Sequence, residues 1–181
     1  ILISIVANVL FSIALKRNDL AELEPIRLVQ PLFIIIITFI FSFFFNIYES
    51  ERNFLILLLA LIASLALVGA HVKKRHLRFD KYMIAALVGS FLFALEMVIS
   101  LPLLAFYSPL SFYFVRSSLI FLISLAIFLP SLEPLERGST KYWLIILGVG
   151  AVIMRVIVYY GYIYLGIVFT TLILILSPVF V

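Results

Sequence analysis

Three ionisable side chains lie where an apolar chain rarely carries them. Glu96, Arg116 and Arg155 each fall inside a long apolar run. Charge in a hydrocarbon layer costs about 2.5–3.5 kcal/mol by insertion scales, so such residues face a bundle interior or a water-filled cavity and mark ion or substrate paths. Glu96 lies about ten residues from the end of its run, or about 15 Å deep at 1.5 Å per residue. A carboxyl at that depth suits proton coupling or cation binding, because desolvation favours its neutral form. The bland alternative is a buried structural partner. Arg116 lies about 10 Å into the next run by the same arithmetic. A tight Tyr107-Ser108-Pro109 turn joins the two runs. Glu96 and Arg116 are therefore expected to pair or to share a substrate site, where a guanidinium can fork a carboxylate or phosphate. Snorkelling to the near interface is the alternative for Arg116. Arg155 is open to both readings, cavity wall or snorkelling. Asn8 is a further polar residue inside an apolar run. Pro31 and Pro178 lack a backbone donor and would kink a helix, either as hinges or as tolerated membrane-helix prolines.

No enzyme chemistry is visible. There is no cysteine, and His71 and His76 are too few for a histidine metal cluster. No nucleophile triad, metalloprotease motif or aspartate-rich phosphate motif occurs, so neither catalysis nor a cofactor or metal is expected. Glu49-Ser50-Glu51-Arg52 brings two carboxylates together, and reads as a solvated loop.

The elements that must position these residues are long and apolar. The chain has 181 residues, of which 66% are hydrophobic and 12% charged, with a mean hydropathy of +1.31. Soluble domains carry roughly 25% charged residues, so a soluble, disordered or nucleic-acid-binding protein is excluded, despite a net charge of +4. Seven apolar segments follow one another: Ile1–Leu15, Arg27–Ile47, Phe54–Val72, Met83–Phe106, Leu110–Pro130, Tyr142–Tyr160 and Leu165–Val181. The last two come from one long run broken at the glycines Gly161–Gly166. Both ends of the chain are apolar, which reads as a piece of a longer protein. The runs are continuous and about twice the length of a barrel strand, so helices are the expected spans. Phe33–Phe45 reads as lipid-facing bulk. Ala86, Ser90 and Ala94, with Ala85 and Gly89, form a small-residue face that lets helices approach closely.

The connections hold most of the charge. The first, third and fifth carry Lys16, Arg17, Lys73, Lys74, Arg75, Arg78, Lys81, Arg137 and Lys141, whereas the second, fourth and sixth carry only Arg52. By the positive-inside rule the Lys73–Lys81 connection is cytoplasmic. Tyr159, Tyr160, Tyr162 and Tyr164 are then expected at the opposite interface, as an aromatic belt.

An internal repeat is visible on shifting the chain by the 147 positions that separate Pro31 from Pro178. Gln30-Pro31-Leu32-Phe33 then falls on Ser177-Pro178-Val179-Phe180, Ala14 on Gly161 and Asn8 on Arg155. Segments six and seven thus repeat segments one and two, and one unit holds five helices. Five is odd, so the halves insert in opposite senses, a plan common in secondary transporters.

These residues resemble the drug/metabolite transporter superfamily, specifically its EamA-type ten-helix members. The resemblance rests on Ala14-Leu15, Pro31, Glu49 or Glu51 and Gly69 in the first half. In the second it rests on Ser108-Pro109-Leu110, Arg116, Gly161 and Pro178. It implies an all-α membrane protein: a polytopic helical bundle of inverted five-helix repeats, with helices three to nine present as seven spans. Residues 1–72 would be the remainder of the first repeat, 73–82 the basic inter-repeat loop and 83–181 most of the second repeat. The implied activity is movement of a small-molecule solute, such as an amino acid or drug-like compound, across the bilayer of a cell inner or plasma membrane by alternating access, with Glu96, Arg116, Arg155 and Asn8 along the substrate path. Two features depart from the family: the stretch from Pro31 to Glu49 is long, and the charge count puts the inter-repeat loop on the opposite side. A multispanning enzyme on lipids and a non-transporting scaffold subunit are the alternatives.

Overall fold

Three helices begin where a polar side chain takes unpaired N–H groups of the first turn. Asp80 Oδ1 accepts from the backbone N–H of Tyr82 and Met83 at 3.0 and 2.8 Å. Asn53 Oδ1 accepts from Leu55 and Ile56 at 3.2 and 3.3 Å, and Ser108 Oγ from Ser111 at 3.2 Å. The computed structural model describes residues 1–15, 26, 29–72, 80–128 and 138–176. Among them the elements are α1 (Leu2–Leu15), α2 (Gln30–Phe44), a 3-10 turn (Asn46–Glu51), α3 (Phe54–Val72), α4 (Lys81–Leu104), α5 (Pro109–Phe128), α6 (Gly138–Tyr164) and α7 (Ile167–Leu176), with no strand. The break between α6 and α7 falls at Gly166, whose φ of 86° is open to glycine at no steric cost.

Three helices, Lys81–Leu104, Pro109–Ala126 and Ile145–Tyr164, are long and apolar enough to cross a membrane. Leu2–Leu15, Gln30–Phe44, Phe54–Gly69 and Ile167–Leu176 are apolar but shorter. Large apolar side chains such as Phe44, Leu55, Phe114 and Trp143 are exposed, which suits a lipid surrounding far better than water.

Of the three long helices α4 is the best buried. Its small-residue face packs on α1: a Cβ added at Gly89 would lie 3.2 Å from Phe11 and 3.4 Å from the Ala7 carbonyl. Leucine-sized side chains there would hold the helices apart. On its other side α4 meets α2 and α6, and Ile34, Ile37, Met97, Val98, Tyr159, Tyr162 and Ile167 form one core. A second core joins α2, α3 and α7 through Ile35, Leu57, Ala60 and Val168.

Three expectations are corrected. Pro31 lies in the first turn of α2, where its missing N–H would have had no partner, so it kinks nothing. Among the described residues, the proline inside a helix is Pro102, in α4. Phe33–Phe45 is not uniformly lipid-facing, since Ile34, Ile35, Ile37, Thr38 and Ser42 are buried. The tyrosines do not form one belt: Tyr159 and Tyr162 are buried, whereas Tyr160 and Tyr164 are exposed. Residues three or four apart share a helix face, so Arg155, Tyr159 and Tyr162 turn to the bundle and Tyr160 and Tyr164 away. Pro178 and the basic stretch 73–79 lie outside the described residues.

Candidate functional site: a buried ion pair beneath a capped helix break

Glu96 and Arg116 meet across the α4–α5 hairpin. Arg116 Nε donates to Glu96 Oε1 at 2.5 Å and Arg116 Nη2 to Oε2 at 2.7 Å. The fork is bidentate, the strong geometry for a guanidinium and a carboxylate. The side chains are only 11% and 9% exposed, so water screens the pair poorly. Ser4 Oγ of α1 accepts a long bond from Arg116 Nη2 at 3.5 Å. Ser100 Oγ donates to the Glu96 carbonyl at 2.8 Å, one turn along α4. The pair thus ties α1, α4 and α5 at one level.

Arg155 is not part of that fork. It comes from α6, and its Nη1 points at the Met97 sulfur from 3.4 Å. Gln30 Nε2 reaches the same sulfur at 3.4 Å and Tyr162 Oη at 3.8 Å. Asn8 is not brought in. It is exposed, and its amide turns back to the Ser4 carbonyl at 2.7 Å. Ser4, not Asn8, is the α1 residue at the pair. A serine four residues from an asparagine on one helix was a weak signal, and nothing in the sequence distinguished the two.

The loop acids are the largest surprise. Glu51 is buried at 6% exposure. Its carboxylate accepts from the backbone N–H of Ile167 at 2.5 Å and of Val168 at 3.1 Å. It therefore caps the first turn of α7 from a distant part of the chain, where a negative charge also meets the positive helix end. Burial pushes its pKa up from 4.5, and the two N–H bonds oppose that rise. The next residue caps the opposite kind of end. Arg52 Nε donates to the Ser42 carbonyl in the last turn of α2 at 2.8 Å, a favourable site for a cation. Its contact with Glu49 is 3.6 Å and exposed, and contributes little. The stretch read as a solvated loop thus joins two helix ends. Gly166 makes room: a Cβ there would lie 2.7 Å from the Glu51 carboxylate.

Tyr48 completes this junction. Pro102 has no N–H, which leaves the carbonyl four residues earlier, that of Val98, without its helical donor. Tyr48 Oη donates to that carbonyl at 2.8 Å. Burial, with the nearby Glu51 charge as the smaller cause, pushes the Tyr48 phenol up to about 12. Above the junction lies a cavity of about 430 Å³, lined by Glu51, Leu101, Leu104, Tyr162, Gly166 and Phe169 among others. Tyr162 belongs both to the cavity wall and to the cluster around Met97. Among the described residues no three metal-binding side chains converge. No protein family, curated protein or solved structure matches the chain.

Proposed function

We propose that the chain belongs to a multi-pass carrier in a cell inner or plasma membrane that moves a small solute by alternating access. The single observation that carries this reading is the Glu96–Arg116 fork, a charged pair kept between apolar helices. A scaffold gains little from it, because an apolar pair of similar volume is as stable or more so. A lipid-modifying enzyme would need a second titratable group beside Glu96, and the neighbour there is a guanidinium.

In this reading all seven apolar helices lie in the bilayer as spans, and α6–α7 repeats α1–α2 in inverted sense. The break at Gly166 matches the discontinuous helices that form transporter sites, where a half-helix N-terminus faces negative charge. Here Glu51 supplies that charge and lies in the wall of the cavity. The resemblance to EamA-type drug/metabolite transporters supports the same plan. Glu96 is the residue assigned to coupling, since breaking its pair requires a proton or a competing charge.

The test is uptake into proteoliposomes. Amino acids and other small metabolites are offered with and without a pH gradient, to wild type and Glu96→Gln. The reading expects gradient-driven uptake that Glu96→Gln abolishes. Uptake of none of them by well-folded protein would overturn it.

A further inference from the structure

Three polar donors converge on one atom that can barely accept them. Arg155 Nη1, Gln30 Nε2 and Tyr162 Oη all point at the Met97 sulfur, and the Tyr162 hydroxyl also has Thr171 within hydrogen-bonding reach. A thioether is a weak acceptor, and buried donors are normally matched to oxygen. One turn from Arg155, the Tyr159 hydroxyl is wholly buried and has Ser100, whose own proton goes to the Glu96 carbonyl, as its side-chain hydrogen-bonding neighbour. It lies within electrostatic reach of Arg155, Arg116 and Glu96. The charge balance points the same way. Among the described residues the ion pairs are Arg52–Glu49 and Arg116–Glu96, so Glu96 is already neutralised and Arg155 has no carboxylate. Arg155 also lies nine residues before the end of α6, about 14 Å from it, too deep for a simple escape to water. The donors exceed the acceptors, and the net charge is positive. Oxyanions satisfy both, and a guanidinium with two phenols binds them well.

We propose that Arg155, Gln30, Tyr159 and Tyr162 form a binding subsite for the carboxylate or phosphate group of a solute, seated over Met97 and reached from the cavity past Tyr162. This rests on the carrier reading and narrows its substrates to organic or inorganic anions. Tyr162 has the place of a door, since it lines the cavity and its hydroxyl reaches the same Met97 sulfur as the other donors. The Glu96–Arg116 fork, one residue away along α4, holds its own charges in balance and leaves Arg155 to the anion.

The test uses the full chain purified in neutral detergent. Thermal midpoints are measured with succinate or inorganic phosphate against chloride at equal ionic strength, with choline as a cation control. A second arm adds phosphatidylglycerol against phosphatidylcholine. Wild type should gain roughly 5–11 °C at a hundredfold excess over Kd, with succinate or phosphate and not with choline. Arg155→Gln should lose the shift, and Arg155→Lys should keep part of it. Tyr159→Phe removes one hydroxyl and no charge, so it is expected to fold where Arg155→Gln does not, and should weaken anion affinity about tenfold. No shift in wild type, or equal shifts in wild type and both variants, overturns the subsite. A shift from phosphatidylglycerol alone assigns these donors to a lipid headgroup and overturns the solute proposal. Uptake of neutral or cationic solutes without any anion shift removes the subsite and leaves the carrier. An Arg155-dependent anion shift without uptake of any solute removes the carrier and leaves the subsite.

Discussion

Breaking the Glu96–Arg116 fork should cost far more than removing it. Glu96→Gln leaves the Arg116 guanidinium 11% exposed with no counter-charge beyond a long bond to Ser4. An orphaned buried charge of this kind costs about 3–5 kcal/mol. For a chain of this size each kcal/mol lowers Tm by about 2–4 °C, so the single variant should melt roughly 6–20 °C below wild type. Arg116→Gln should cost a similar amount, since it strands the carboxylate. The double variant Glu96→Gln/Arg116→Gln carries no charge and should melt no lower than the weaker single. The resulting non-additivity is at least about 3 kcal/mol, at the upper end for groups in direct contact. The charge swap Glu96→Arg/Arg116→Glu should recover part of the loss, because the two side chains span the same gap. The assay is a thermal scan in neutral detergent, read by intrinsic fluorescence. Single effects that add to within about 0.5 kcal/mol would refute the coupling, and with it the claim that the pair is one unit.

Gly166→Ala forces a side chain into a backbone with φ of 86° and onto the Glu51 carboxylate. The expected loss is about 1–2 kcal/mol from the backbone alone, read as a Tm decrease that Glu51→Ala partly offsets by removing the clash. Tyr48→Phe strands the Val98 carbonyl and should cost about 1–3 kcal/mol. In a Pro102→Ala background the helical donor returns, and the cost of Tyr48→Phe should shrink. The pH response follows from Glu51. Its folded pKa stands above the ordinary 4.5, so the native protein holds this proton more tightly than the unfolded chain does. Its contribution to stability is fully present below the unfolded value and is lost as pH rises through the raised one. A Tm–pH profile should show that decline in wild type and lack it in Glu51→Gln. An unchanged slope would contradict the burial account.

The pairing of Glu96 with Arg116 was legible because both residues are local to one hairpin. Their depths follow from helical rise, and the turn at Tyr107–Pro109 fixes the helices side by side. The small-residue face of α4 was legible for the same reason, since Gly89 and its neighbours repeat at helical spacing. The break at Gly166 was marked by glycines. What escaped reading depends on distant partners. Glu51 reads as a solvated loop acid because its donors, the N–H groups of Ile167 and Val168, lie more than a hundred positions away in the chain. Tyr48 gives no local sign that it serves the carbonyl freed by Pro102. The inward phase of Arg155, Tyr159 and Tyr162 was present as an i, i+4, i+7 stripe. It was masked because Tyr160 and Tyr164 made the cluster resemble an interface belt. Pro31 misled because its meaning turns on where α2 begins, and that start at Gln30 lies inside an apolar stretch with no side-chain cap to mark it.

In the carrier reading, the cavity beside Glu51 is a solute path open to one side of the membrane at a time. The chain contains no cysteine, so a single Leu101→Cys in the cavity wall reports water access without background. A membrane-impermeant thiol reagent is applied to sealed vesicles of each orientation. Labelling at this position is expected from one side only, at a rate that changes when a transported solute is added. Labelling from neither side, or an equal rate from both with no response to solute, would contradict it.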